Sequence, residues 1–268
     1  MTTRSVGIVG LGRMGLTLAT GFARALEPDC LFAAGRSEAS IARVHEAVPS
    51  ITVVPLAELP NRTALIVLCV RNTHLPAVLD DIRPRLTDQH VLVTINNGLP
   101  LQALADSVPG PVAKLIPSVG NEIGTGATLF TPGPGLGEQA VDEMITLLRR
   151  FSRPFLITED QGRAATDLAS CGPALLANTA RSMVCAQLER TTQLSPDLAE
   201  QLIAQSINTV SQLLALGVHL DEIIDRVAVP GGNTAAAVEA SHDDLTAAWR
   251  AAFQATTDNE RAKTLPSL

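Results

Sequence analysis

The chain opens with a short apolar run, residues 6–9, and repeats that kind of run along its first half. Residues 64–70 read A-L-I-V-L-C-V and residues 91–95 read V-L-V-T-I, with no polar alternation. This pattern marks strands buried on both faces of a parallel sheet. Residues 30–34, 51–54 and 114–116 predict three more strands. Another follows from Thr128, and residues 155–158 predict the last. Between them the period becomes helical. Leu16, Leu18, Ala19, Phe22 and Ala23 share one face, as do Val141, Met144, Ile145 and Leu148 within 138–151, so each stretch predicts an amphipathic helix. Beyond residue 159 the strand signals stop. Residues 161–193 form one long helical pattern with Pro173 inside it, where a kink is expected. Ser195-Pro196 reads as a cap and first-turn proline, and Gly217 as the stop of that helix. Residues 220–227 predict a short helix. Ala236, Val238, Leu245 and Trp249 predict the last one, before a polar tail from Asp258.

The glycines give the first half its chemistry. Gly10, Gly12 and Gly15 follow the first strand at G-x-G-x-x-G spacing and open a helix. Gly10 permits the tight turn, Gly12 lets the backbone approach a pyrophosphate, and Gly15 packs helix on strand. Leu11, Arg13 and Met14 complete this turn, whose free N–H groups and helix dipole face the phosphates. The predicted class is therefore α/β. A Rossmann-type dinucleotide-binding domain (residues 1–158) precedes an all-α dimerisation and substrate domain (159–268), since Ala- and Leu-rich helices of this kind often dimerise. The second strand ends in Arg36-Ser37 where an NAD enzyme usually carries an acid. A guanidinium and a hydroxyl suit a 2′-phosphate, so NADPH is the predicted cofactor, with NADH the alternative. Ligands in such sheets lie beyond the carboxyl ends of the strands. Val70 and Arg71, Asn96 and Asn97, and Pro117 stand at three of those ends and complete the cofactor set.

Composition narrows the partners. The 268 residues are 46% hydrophobic with a formal net charge of −7, and the mean hydropathy is +0.22. That allows a sizeable core and argues against nucleic acid or an anionic membrane. No signal-peptide or membrane-spanning pattern is present. Cys30, Cys69, Cys171 and Cys185 are widely spaced and the five histidines show no ligand spacing, which predicts reduced thiols, a cytoplasmic setting and no metal. There is no Tyr, and the only lysines are Lys114 and Lys263. A Tyr-Lys proton-donating pair is thus excluded.

Four patterns, in order, resemble the pyrroline-5-carboxylate reductase family. They are the Gly10–Gly15 turn containing Met14, and Pro117 with Ile123, Gly124, Gly126 and Thr128 against P-N-T-P-x-x-V-G-x-G-x-T. The third is Cys171-Gly172-Pro173-Ala174 against S-G-P-A-Y, and the fourth is Pro230-Gly231-Gly232-Asn233-Thr234 against P-G-G-x-T. The resemblance implies an NADPH-dependent reductase of a cyclic imine, 1-pyrroline-5-carboxylate to L-proline, in a homodimer or higher oligomer whose helical half caps the partner's cofactor. It implies that Gly231, Gly232 and Asn233 surround the substrate carboxylate, and that the Thr234 hydroxyl bonds the ring nitrogen as the catalytic residue. Ser118, Val119, Leu175, Arg181, Val229, Asn96 and Asn97 depart from the family pattern, as do Arg71, Asn72 and Thr73 where the family has Lys-Pro-Gln. These leave open another cyclic imine, with added polar groups suiting a differently decorated ring, or a catalytically silent dinucleotide-binding paralogue. The β-hydroxyacid dehydrogenases share the opening G-L-G-x-M-G but need a helix lysine, and residues 161–190 contain none. Asp167 stands where a longer imine reductase family carries a proton donor, although a solvated helix acid is the plainer reading.

Overall fold

The computed structural model describes residues 5–263; the first four residues and the last five, the end of the predicted polar tail, lie outside the described residues. Eight strands form one sheet: β1 (Val6–Val9), β2 (Leu31–Ala34), β3 (Thr52–Val53), β4 (Leu65–Leu68), β5 (Val91–Thr94), β6 (Val112–Pro117), β7 (Ala127–Pro132) and β8 (Arg153–Leu156). Their order is β3-β2-β1-β4-β5-β6-β7-β8. All neighbours are parallel except β6 and β7. The order reverses between β1 and β4, which makes their carboxyl ends the switch-point crevice where ligands bind.

Both faces of the sheet are covered, which explains the unbroken apolar runs. Ile8, Leu65, Val67, Val91 and Val93 join one cluster with Leu18 and Phe22 of helix α1 (Arg13–Ala23) and Met144 and Leu148 of a second helix (Glu138–Leu148). Val9, Ile66, Leu68 and Leu92 point the other way, into Leu75, Leu79, Ile82, Leu101 and Leu104. The rings of Phe22 and Phe151 meet edge-on at 5.1 Å, and a Cβ at Gly21 would strike Phe151 at 2.5 Å. Helices α2 (Glu38–Ala47), α3 (Leu75–Ile82), α4 (Leu101–Ala105) and α5 (Glu138–Leu148) fill the crossovers.

The helical half is α6 (Gly162–Ala169), α7 (Gly172–Leu188), α8 (Pro196–Ala215), α9 (Leu220–Val227) and α10 (Asn233–Arg261). Two sequence expectations change here. Residues 161–193 are two helices, because Gly172 and Pro173 occupy the first turn of α7, where a proline has no N–H to waste, rather than kinking one helix. The residues from Asp258 to Arg261 continue α10 instead of leaving it as a tail. Ser195 caps α8 as expected, accepting from the Leu198 N–H.

The chain divides into two compact units, residues 1–173 with 257–268, and residues 174–256. In the second unit Ala199 alone is buried among the described residues. Leu176, Met183, Leu202, Ile207, Val210 and Leu214 are exposed in the single chain. A unit of this size with no core of its own cannot offset its conformational entropy without another surface to cover those side chains.

Candidate dinucleotide-binding site

The turn after β1 separates the glycine roles. Gly10 has φ +94°, and a Cβ there would sit 2.7 Å from the Cys69 carbonyl oxygen and 2.8 Å from Val70 Cγ1. A Cβ at Gly15 would fall 2.0 Å from the Gly10 carbonyl, so α1 leaves the strand only because both residues are glycine. A Cβ at Gly12 meets nothing within 4 Å. The turn is thus packed on its inner side and open at Gly12. Gly10 N–H is used, donating to Ala34 at 2.9 Å, whereas the N–H groups of Gly12, Arg13 and Met14 take no backbone partner among the described residues. Those are the donors a helix start offers an anion. Leu11 differs from its neighbours: its side chain is buried in the core, leaving only its backbone at the turn.

Arg36 and Ser37 follow β2 and are both exposed. Ser37 is the N-cap of α2 without a side-chain cap bond. Arg13 at the start of α1, Arg36 after β2 and Arg71 after β4 are exposed and have no acidic partner among the described residues. On a chain of net charge −7, this is a local concentration of cations at the crevice. Open space at Gly12, unused N–H groups and three free guanidiniums fit a phosphorylated dinucleotide.

The loop after β5 is built differently from expectation. The Asn97 Nδ2 donates to Glu260 Oε1 at 2.6 Å, and its carbonyl accepts from Lys114 Nζ at 2.8 Å. The Asn97 amide nitrogen and backbone carbonyl are therefore already committed, and of the side chain only its Oδ1 is left. Asn96 Nδ2 and Asn97 Oδ1 are buried without a partner among the described residues, a cost structures tolerate mainly at functional loops. Lys114 is buried in β6 and also bonds Glu159 Oε1 at 2.9 Å, whose same oxygen accepts the Leu101 N–H at the start of α4. It clamps loops together and is not a free acid.

Pro117 ends β6, and its carbonyl accepts from the Ser170 hydroxyl at 2.7 Å, pinning the end of α6 to the strand. Asn121, which the sequence did not single out, is fully buried. Its side-chain amide has the Ser118 and Ala127 carbonyls on one side, at 3.0 and 3.2 Å, and the Thr128 hydroxyl on the other, at 2.6 Å; two carbonyls can only accept, which assigns the nitrogen to their side and the oxygen to the hydroxyl. A Cβ at Gly126 would collide with Asn121. The Gly124-x-Gly126-x-Thr128 signature is thus a loop closed around one asparagine. Its traces in the sequence were the two glycines and Thr128.

Asp167 is not the solvated acid expected. It is 4% exposed and accepts from Arg163 Nη2 at 2.7 Å, while Arg163 Nη1 reaches Glu260 Oε1 at 2.9 Å. Burial opposes the Arg163 charge. The hydrogen bond to Asp167 and the fields of Glu260, Asp167 and Cys171 outweigh it and raise the guanidinium above its ordinary pKa.

In the second unit, Gly231 has φ +75° and a Cβ there would meet open space. Gly232 shapes the turn: its N–H donates to the Val229 carbonyl at 2.9 Å. Its N–H is therefore spent inside the turn. The N–H groups of Gly231, Asn233 and Thr234 have no backbone partner among the described residues, because α10 begins there. Thr234 and Asn233 are exposed.

Comparison with known proteins agrees with this geometry. Residues 159–263 match the family described as pyrroline-5-carboxylate reductase dimerisation, and residues 5–98 match NADP oxidoreductase, coenzyme F420-dependent. The chain is 27% identical over 255 residues to ComE operon protein 4 of Bacillus subtilis, covering 94% of this chain and 93% of that protein. It is 27% identical over 265 residues to pyrroline-5-carboxylate reductase 3 of Macaca fascicularis, covering 97% and 96%. The fold is that of the Plasmodium falciparum pyrroline carboxylate reductase with NADP bound, at TM-score 0.85, 22% identity and coverage of 99% and 100%. The chain thus joins an N-terminal domain of the NADP oxidoreductase type to a pyrroline-5-carboxylate reductase dimerisation domain, and over nearly its whole length it is similar to the NAD(P)-dependent oxidoreductases of the pyrroline-5-carboxylate reductase family.

Proposed function

We propose that the chain is an NADPH-dependent reductase of a cyclic imine, with 1-pyrroline-5-carboxylate as substrate and L-proline as product. The observation that carries this reading is the Pro230–Thr234 turn. Uncommitted N–H groups of Gly231, Asn233 and Thr234 open the long helix α10, a ready nest for a carboxylate. The exposed Thr234 hydroxyl belongs to the same turn and supplies a hydrogen bond to the ring nitrogen. When bound, the reduced dinucleotide supplies the hydride. A protonated imine accepts it at carbon without a strong protein acid. The chain's task is therefore to hold charge and orientation, in keeping with a nucleotide-binding unit whose buried lysine and aspartate are already paired.

Gly12, Arg13 and Met14 hold the pyrophosphate by backbone N–H groups, Arg36 and Ser37 the 2′-phosphate, and Arg71 adds positive charge. Val70, Asn96, Asn97 and Pro117 border the other half of the cofactor. NADH is the weaker alternative. The uncovered apolar side chains of α7, α8 and α9 support a homodimer, or a larger homo-oligomer, joined through these helices. Four free cysteines support a reducing, cytoplasmic setting. Arg181, exposed and tied to Asn178 Oδ1 at 2.7 Å, favours a second reading in which the ring carries a further anionic group.

The test is NADPH oxidation followed at 340 nm with purified protein and pyrroline-5-carboxylate, beside a panel of other cyclic imines. Turnover above about one per second with pyrroline-5-carboxylate, lost in Thr234→Ala while NADPH still binds, is the expected result. Turnover only with a dicarboxylated ring would favour the second reading. Binding of NADPH with no turnover on any imine would mean a silent paralogue.

A further inference from the structure

The chain's C-terminal end returns to the nucleotide-binding half. Asn72 Nδ2, just after β4, donates to the Lys263 carbonyl at 2.7 Å, and Asn97 Nδ2, just after β5, donates to Glu260 Oε1 at 2.6 Å. These bonds span 191 and 163 residues of sequence. A dinucleotide straddles the β1/β4 switch point, its adenosine end over β1 and β2 and its other end over β4 and β5. Both ties therefore fall on the nicotinamide side, and both are made by asparagines that stand where the family pattern has other residues.

We propose that the last turn of α10 is a strap that preorganises the nicotinamide half of the site, with Glu260 as its positioning residue; this rests on the reading of the chain as an NADPH-dependent enzyme. Asn97 is held from three directions. Lys114 takes its carbonyl from β6. The missing side chain of Gly162 lets α6 approach, since a Cβ there would lie 2.9 Å from Asn97 Oδ1. Glu260 takes its amide. The Glu260 carboxylate is in turn fixed by Arg163 at 2.9 Å, itself anchored on Asp167. The network fixes the loop before any ligand arrives, so binding does not have to order it. Glu260 acts through Asn97 and touches no reacting atom in this scheme.

The experiment separates the two ends of the cofactor. The full chain, Glu260→Ala, Glu260→Gln and Asn72→Ala are titrated with NADPH by fluorescence and with adenosine 2′,5′-bisphosphate by calorimetry. Glu260→Ala is expected to weaken NADPH about fivefold or more, the scale of a lost hydrogen bond to a charged group, and to leave the bisphosphate within about twofold. Glu260→Gln keeps an acceptor for Asn97 and should retain most of the NADPH affinity. Hydrogen exchange at residues 94–99 should quicken in Glu260→Ala. If that variant does not fold, Asn72→Ala, which loosens the loop after β4 without a charge change, must show the same one-ended loss. Equal NADPH affinity in wild type and Glu260→Ala, equal losses for both ligands, or tighter NADPH in the variant would overturn the strap. Wild-type protein that binds neither ligand would overturn the functional reading, and the strap with it.

Discussion

Lys114 reaches from the middle of β6 to hold the Asn97 carbonyl oxygen at 2.8 Å. The contact ties a buried strand to the loop that ends its neighbour, and Glu159 shares the same ammonium at 2.9 Å. Lys114→Met keeps the apolar stem and removes the donor. It is expected to destabilise the fold by about 1–3 kcal/mol, less than a fully buried pair because Glu159 stays partly in water. Urea unfolding should show a lower midpoint at an unchanged slope; an unchanged midpoint would mean that the clamp carries no stability.

Gly12 and Gly15 should respond oppositely to the same substitution. Gly15→Ala places a methyl 2.0 Å from the Gly10 carbonyl and must push α1 off the strand, costing about 1–3 kcal/mol. Gly12→Ala meets only open space in the protein alone. Its melting temperature should hold while NADPH affinity falls, because the methyl stands where the pyrophosphate would approach. A Gly12→Ala protein that binds NADPH normally would remove this turn from the site.

Arg36→Ala tests the cofactor preference. Loss of a charge-assisted bond to a 2′-phosphate predicts about tenfold or more weaker NADPH, with NADH changed little. Parallel losses for the two cofactors would show that Arg36 supplies only general positive charge.

Cys69 sits just after β4 and packs against the core cluster that includes α1. By surface area the residue is only partly covered, yet the protein packed around its thiol pushes the pKa from an ordinary 9.0 up to about 12. The native state therefore keeps a proton that the unfolded chain releases above pH 9. The stabilisation is complete below pH 9 and falls as pH rises toward 12. Cys69→Ala should flatten that alkaline decline in a denaturation series. At pH 8 iodoacetamide should label exposed Cys185 and spare native Cys69; rapid labelling of Cys69 would contradict a thiol held protonated.

The strands and the nucleotide turn were legible in the sequence because their cause is local. A strand buried on both faces must be apolar at successive positions, as at Ile66 and Val67 on opposite faces. A position such as Gly15, where a Cβ would collide with a carbonyl oxygen, must be glycine. Capping is equally local, and Ser195 behaved as its type predicts. The Pro173 kink went astray because one proline both bends a helix and starts one, and the neighbouring turn decides which.

The sequence by itself determined a mostly parallel sheet, its phosphate-facing turn and a helical second half, since periodicity and glycine spacing report on neighbours a few residues away. Only the tertiary structure decided that β7 runs antiparallel to β6, and that Asn121 closes the Gly124–Thr128 loop. It also showed that Asp167 and Lys114 are spent in ion pairs, and that Glu260 comes back 163 residues to hold Asn97. Such contacts leave no period and no spacing in the chain. Whether a polar side chain is free for chemistry depends on which distant group has already taken its hydrogen bond, and that is settled only when the chain folds.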